Sequence, residues 1–295
     1  YSTFRGSATR CVVRLRVVGP DLTATCSLGT MTDPLFMLDT SHEDTPLNTD
    51  ELHTGWRLTL PRSVRRHALQ AMRLKPGDRL QLSDGVGLRV HAEIQDVDAG
   101  TASVTGVGRE PGPVTRLALV QALAKTGHDE QAIDMATQIG VDEVVPWQSA
   151  RSIAKWKQGR SERRWHDTLV AAAEQSRRAW LPSLGECVNG TGLIAICRRA
   201  SVHGDLVIVL HQDAPTPWDE IEDHITALTS RCLDDGRERT ISVVVGPEGG
   251  IGDEEIDALR DAGALTCVLG SNILRAGVAG PVALSLLSRS LGRFA

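Results

Sequence analysis

Between residues 35 and 107 apolar and polar positions alternate in short runs: LFML, WRLTL, DRLQL, VGLRVHAEI and TASVTGV. Alternation of period two over a few residues marks half-buried strands. Turn chemistry separates the runs, with Lys75-Pro76-Gly77 and Ser83-Asp84-Gly85 each placing a glycine where a tight reversal needs one. A small β-barrel or sandwich is predicted, ending at the Pro/Gly break REPGP over 109–113.

Beyond that break the rhythm changes to strand, helix, strand. RLALVQAL (116–123) is apolar throughout, and Ala132, Ile133, Ala136 and Ile139 then recur at helical spacing before Gly140. EVVPW follows as a strand, and a helix is predicted from Ser161 as N-cap, with Trp165, Leu169 and Ala172 on one face. DLVIVLH (205–211) is the next strand. Thr216-Pro217 reads as the N-cap and first residue of a helix carrying Ile221, Ile225 and Leu228. TISVVV (240–245), a helix over 253–262, LTCVLG (265–270) and a terminal helix from Pro281 complete the series. Strands that alternate with helices and are apolar throughout belong to a mostly parallel sheet covered on both faces, an α/β fold.

Composition narrows the class. A chain of 295 residues with 41% apolar and 23% charged residues has the means for a packed core and is long enough for two domains. No apolar run approaches the roughly 20 residues that cross a bilayer, so no membrane partner is expected. The six cysteines show neither a CxxC pair nor Cys/His ligand spacing, which speaks for a reducing cytoplasm and against both a disulfide framework and a metal site. Residues 1–30 are basic and acid-poor but lack the apolar stretch of a secretory signal. They read as a leader or artificial extension ahead of a natural start at Met31, poorly ordered and outside the fold.

Ligands of open α/β sheets bind at the carboxyl ends of strands. The loop after Val245 reads Gly246-Pro247-Glu248-Gly249-Gly250-Ile251-Gly252, four glycines in seven positions, so backbone is free to approach a ligand. No Lys-Ser/Thr follows it, and Asp253, Glu254 and Glu255 already satisfy the next helix dipole. A neutral or cationic ligand is therefore favoured over a phosphate. The loop after LTCVLG ends in Arg275, whose guanidinium fork suits a planar, oxygen-rich group.

The net charge of −5 conceals an asymmetry. Residues 57–79 carry a balance of +6 and residues 151–182 one of +5, the latter with Trp156, Trp165 and Trp180, whereas residues 205–261 stand at −11. Basic stretches interleaved with aromatics suit an RNA backbone and stacked bases.

VVGPEGGIGDEEIDAL and LGSNILR resemble the cofactor loops of the SPOUT methyltransferases, specifically the RsmE-like enzymes that methylate uridine N3 in 16S ribosomal RNA. QALAKTGHDEQAIDMATQIGVDEVVPWQSARS, AAAEQSRRAWLP and ALQAMRLKPGDRLQLSDG are similar to further family segments, so the resemblance runs from about Leu35 to the C-terminus. It implies a PUA-like β-barrel over 31–110 that binds RNA, a SPOUT α/β domain over 114–295 with a deep trefoil knot, a homodimer, and S-adenosylmethionine as cofactor. The small ribosomal subunit is the implied partner. Carried over by position, His211, Gly246, Pro247, Glu248, Gly249, Gly250, Leu269, Gly270, Ile273 and Leu274 would line the cofactor pocket. Arg275 would be the catalytic residue, stabilising charge on a uracil oxygen. Glu174, Gln175, Ser176, Arg177 and Arg178, with Lys125 and Arg151, would hold the target nucleotide, and Arg62, Arg65, Arg66, His67 and Arg73 the flanking RNA. No general base is evident. Where the family carries hydroxyls or a carboxylate after Ile-Leu-Arg, this chain has Ala276-Gly277-Val278-Ala279-Gly280. That departure keeps two alternatives in view: methylation of another ribosomal or transfer RNA position, and an RNA-binding or ribosome-assembly protein without turnover.

Overall fold

The computed structural model describes residues 33–38 and 49–294. The leader expected over 1–30, and Met31, lie outside the described residues. Five strands form the first sheet: β1 (Leu35–Met37), β2 (Arg57–Thr59), β3 (Arg79–Ser83), β4 (Leu88–Asp96) and β5 (Thr101–Arg109), in the order β1-β3-β4-β5-β2. β1 runs parallel to β3, and the other pairs are antiparallel. Alternation decides which face is buried: Leu88, Val90, Ala92 and Ile94 of β4 point inward while His91 points out. Their core is closed by Val64 and Ala68, from a helical segment that starts as α1 (Arg62–Val64) and widens into a π turn over Arg65–Ala71. The widening is visible where the Met72 N–H donates to the carbonyl of His67, five residues back.

The second sheet contains β6 (Thr115–Ala122), β7 (Glu143–Gln148), β8 (Ser183–Leu184), β10 (Leu206–Leu210), β11 (Arg239–Val245) and β12 (Leu265–Cys267), in the order β12-β10-β11-β6-β7-β8. The short β9 (Val188–Asn189) pairs with the end of β7. Every pairing is parallel. Six helices cover it: α2 (His128–Ile139), α3 (Arg160–Ser176), α4 (Gly190–His203), α5 (Trp218–Asp235), α6 (Asp253–Asp261) and α7 (Ala276–Ser290). Both faces are dry, which explains the unbroken apolar runs. Leu117 and Leu119 of β6 share a core with α2, α3, α5 and α7, while Val120 and Ala122 face α4 and α6. Burying each such leucine contributes about 1.5–3 kcal/mol. Among the described residues no helix is long and apolar enough to cross a membrane.

Three helix starts differ from the sequence reading. α3 begins at Arg160 with Gly159 as its cap, because the Ser161 hydroxyl instead accepts the Lys157 N–H of the preceding turn. α5 begins at Trp218, one residue beyond the expected start, because the Thr216 carbonyl is taken by the Val268 N–H. α7 starts five residues before Pro281: the N–H groups of Val278 and Ala279 both donate to the Arg275 carbonyl and set the first turn there.

The run from Ala276 to Gly280 acquires a packing role from this start. A Cβ on Gly277 would lie 2.9 Å from the His128 carbonyl oxygen, and one on Gly280 would lie 2.8 Å from Leu119 Cδ1 and 3.3 Å from Val245 Cγ2. Glycine at these positions lets α7 sit directly on β6, β11 and the first turn of α2. Gly280→Val is expected to overpack this contact and cost about 1–3 kcal/mol, read as a lower urea midpoint with an unchanged m-value.

Candidate cofactor pocket and RNA interface

The ends of β10, β11 and β12 lie side by side, since Leu210 pairs with both Val245 and Cys267. The segments that follow these strands converge on one cavity of about 740 Å³, within the size range of small-molecule sites. Its walls include His211, Gly246, Pro247, Glu248, Gly249, Gly250, Leu269, Gly270, Ile273, Leu274 and Arg275, so the structure brings together all the residues expected at cofactor and methyl. The local folding is specific. Gly250 has φ +70°, and its N–H closes a turn onto the Pro247 carbonyl. A Cβ on Gly246 would come within 2.7 Å of Ile251 Cγ1, so the loop can curl only on glycine. Glu248 accepts the Lys125 N–H at 3.0 Å, tying this loop to the turn after β6.

Arg151 lies along the loop and donates to the Gly249 carbonyl at 3.2 Å. Beneath it, burial raises the pKa of Glu255, which also accepts the Ala150 N–H. Across the cavity the Cys267 thiol is pushed up to about 11 by burial. It stays protonated and is a poor competitor for an electrophilic methyl group. The rim carries Asp213, Glu248 and Asp253, a donor set that suits a sulfonium cation better than a phosphate. The Arg275 side chain is exposed at the same rim and makes no hydrogen bond or ion pair with the described residues. His128, Asp213, Asp253 and Cys267 also line the cavity and were not among the residues expected there, Asp253 having been read only as satisfying a helix dipole. Two of them open the helices that follow β6 and β11, and the other two sit at or beside the ends of β10 and β12, which was the available signal.

The segment expected to hold the target nucleotide is mostly engaged elsewhere. Glu174 accepts the Met37 N–H at 2.9 Å and pairs with His67 at 3.5 Å. The Ser176 hydroxyl donates to the Ala172 carbonyl, and the Arg177 carbonyl accepts from Arg89. The expectation for Arg178 is corrected: its guanidinium is largely buried, donates to the carbonyls of Thr137 and Val141, and faces Asp142. Together with Ala173, Ala179 and Leu181, which meet Leu35, Met37, Ser83 and Gly85, this segment is the seam between the two sheets. Gln175 is exposed. Arg62, Arg66 and Arg73 are exposed on the first sheet's helical segment and the turn after it, whereas Arg65 is half-buried over Gly100.

Burial raises the pKa of Glu174. In the window that opens at the ordinary glutamate value of 4.5, the folded chain binds more protons than the unfolded one, so stability falls as pH rises. Glu174→Gln should flatten that slope, read from melting temperatures measured across pH 4 to 7.

A family model described as an RNA methyltransferase domain matches residues 110–288, and one described as an RNA methyltransferase PUA domain matches residues 60–105. Ribosomal RNA small subunit methyltransferase E of Mycobacterium bovis is 35% identical over 225 residues, covering 74% of this chain and 80% of that protein. The Bacillus subtilis protein of the same name is 26% identical over 230 residues, covering 75% of this chain and 86% of that protein. The crystal structure of the Neisseria gonorrhoeae protein of that name, bound to S-adenosyl methionine, superposes with a TM-score of 0.68 at 21% identity, covering 87% of this chain and 97% of that one.

Proposed function

The chain belongs to the RNA methyltransferase family, in the branch of ribosomal RNA small subunit methyltransferase E, and on that premise we propose that it methylates N3 of one uridine in 16S ribosomal RNA. The observation that carries this reading is the convergence of residues 246–251 and 268–275 on one cavity at the strand ends. S-adenosylmethionine, when bound there, supplies a methyl group on a sulfonium sulfur. The glycine loop and residues 269–274 hold the donor largely through backbone groups, and the rim carboxylates favour its positive charge. Arg275 stabilises negative charge on a uracil carbonyl oxygen as N3 loses its proton, a role supported by its exposed position on the cavity rim. Residues 31–110 serve as the RNA-binding domain, with Arg62, Arg66, His67 and Arg73 on flanking phosphates, and residues 114–295 as the methyltransferase domain.

The trefoil knot belongs to this reading. After edge strand β12 the chain returns through residues 268–275 to place α7 against β6 and β11 in the middle of the sheet. A path of that kind departs from the short, uncrossed connections of ordinary sheets. The enzyme works as a homodimer in the cytoplasm, on rRNA within the small subunit.

The test is incubation with methyl-labelled S-adenosylmethionine and small subunits lacking the modification, followed by mass-spectrometric mapping. Label as 3-methyluridine at a single position is expected. Cofactor binding without label on any RNA would overturn the reading in favour of a non-catalytic RNA-binding protein.

A further inference from the structure

A uridine N3 carries a proton that must leave before the nitrogen can attack, and residues 276–280, at the start of α7, contain no titratable side chain. A side-chain base has to come from another part of the rim. Two imidazoles line the cavity, His128 and His211. The ring of His211 is engaged, because its Nδ1 accepts the Asp213 N–H at 3.3 Å. The His128 ring makes no hydrogen bond or ion pair with the described residues and is only half-buried.

His128 opens α2, and the turn that delivers it is set by Gly127 at φ +78°. With no side chain at Gly277, the carbonyl of His128 packs directly on the first turn of α7, two residues from Arg275. The two side chains therefore rise from abutting helix starts onto one rim. The carboxylates nearby are poorer choices. Asp129 is buried and accepts the N–H groups of Ala124 and Glu130, while the free carboxylate of Asp253 is a far weaker base towards N3 than an imidazole. The charged groups around this corner are Lys125 on the same turn, Glu248 on the glycine loop, Arg151 across it and Arg275 on α7. Glu130 is spent on Arg164 of α3.

We infer that His128 is the general base of the methyl transfer, a role that rests on the uridine-N3 reading above. In the step, the N3–H bond breaks and its proton passes to the free imidazole nitrogen. The N3 electron pair forms the bond to the methyl carbon, the sulfur–methyl pair returns to sulfur to leave the neutral thioether, and the imidazolium then loses its proton to water.

His128→Gln and His128→Ala are tested under single-turnover conditions with saturating donor and substrate, beside wild-type protein. The expected result is a loss of about 10²–10³-fold in rate, unchanged binding of S-adenosylmethionine by calorimetry, loss of the acidic limb of the pH–rate profile, and partial rescue of His128→Ala by added imidazole. The His128 Cε1–H resonance should also shift when target RNA is added to the donor-loaded wild type. Wild-type rate and pH profile in His128→Gln, or a slow variant with the acidic limb retained and no rescue, would overturn the assignment while leaving the uridine reading intact. Absence of 3-methyluridine from the wild-type reaction would overturn the uridine reading and the base with it.

Discussion

Arg275→Ala is expected to slow methyl transfer by about 10²–10³-fold, the usual cost of removing one preorganised donor to a developing oxyanion, while donor binding stays as in the wild type. The separation follows from geometry. The cavity is walled by the glycine loop and residues 267–274, whereas the Arg275 guanidinium stands exposed at the rim with no partner among the described residues. A free guanidinium pays little to turn towards a new anion, and its fork can reach a uracil oxygen. Arg275→Lys should recover only part of the rate, because a point charge lacks the planar fork. Calorimetry and single-turnover rates on the same preparations decide the matter. A full rate in Arg275→Ala would remove Arg275 from the chemistry.

Asp142→Ala is expected to destabilise the fold by about 3–5 kcal/mol, a fall in melting temperature of roughly 10 °C. Asp142 links α2 to β7, and its Oδ2 accepts the Leu117 N–H and the Arg293 guanidinium, both at 2.8 Å. Arg178 approaches Oδ1 at 3.6 Å. Both arginines also donate to carbonyls at the end of α2, Arg178 to Thr137 and Val141, Arg293 to Gly140. Burial lowers the pKa of Arg178, with the Asp142 charge opposing the shift. Deleting the carboxylate leaves two neighbouring guanidinium groups without the counter-ion they share and removes one of the links between Arg293 and the start of β6, the Thr115 carbonyl being the other. Removing Arg293 alone should cost less, since Asp142 keeps Arg178 and Leu117. Thermal melts of the two variants test this ranking, and equal losses would refute it.

The parallel sheet was legible because its strands are apolar on both faces, as RLALVQAL and TISVVV show in β6 and β11. The loop that walls the cavity was legible because four glycines in seven residues have few uses other than close backbone approach. α4 left no such mark. Two glycines sit in its first three positions, and its start rests on the Asn189 side chain, which accepts the Gly192 N–H at 2.9 Å. The roles of Glu174 and Arg178 were hidden for a different reason: a charged residue has the same spelling whether it faces solvent or a carbonyl from another part of the chain. Only tertiary contact distinguishes a nucleotide clamp from a seam.

That seam gives the molecule the character of a caliper. The end of α3 and the residues after it are held to the first sheet by backbone pairing, by the Met37–Glu174 bond and by apolar contacts, so the arginines of the helical segment over 62–71 and the mouth of the cavity stand at a set span. A substrate gripped by both jaws must already have the matching width. Short, floppy oligonucleotides would pay to be shaped, whereas RNA folded beforehand arrives with that cost met. Selection by span would need no base to be read at the outer jaw, so on this reading the RNA's architecture would specify the modified position as much as its letters do.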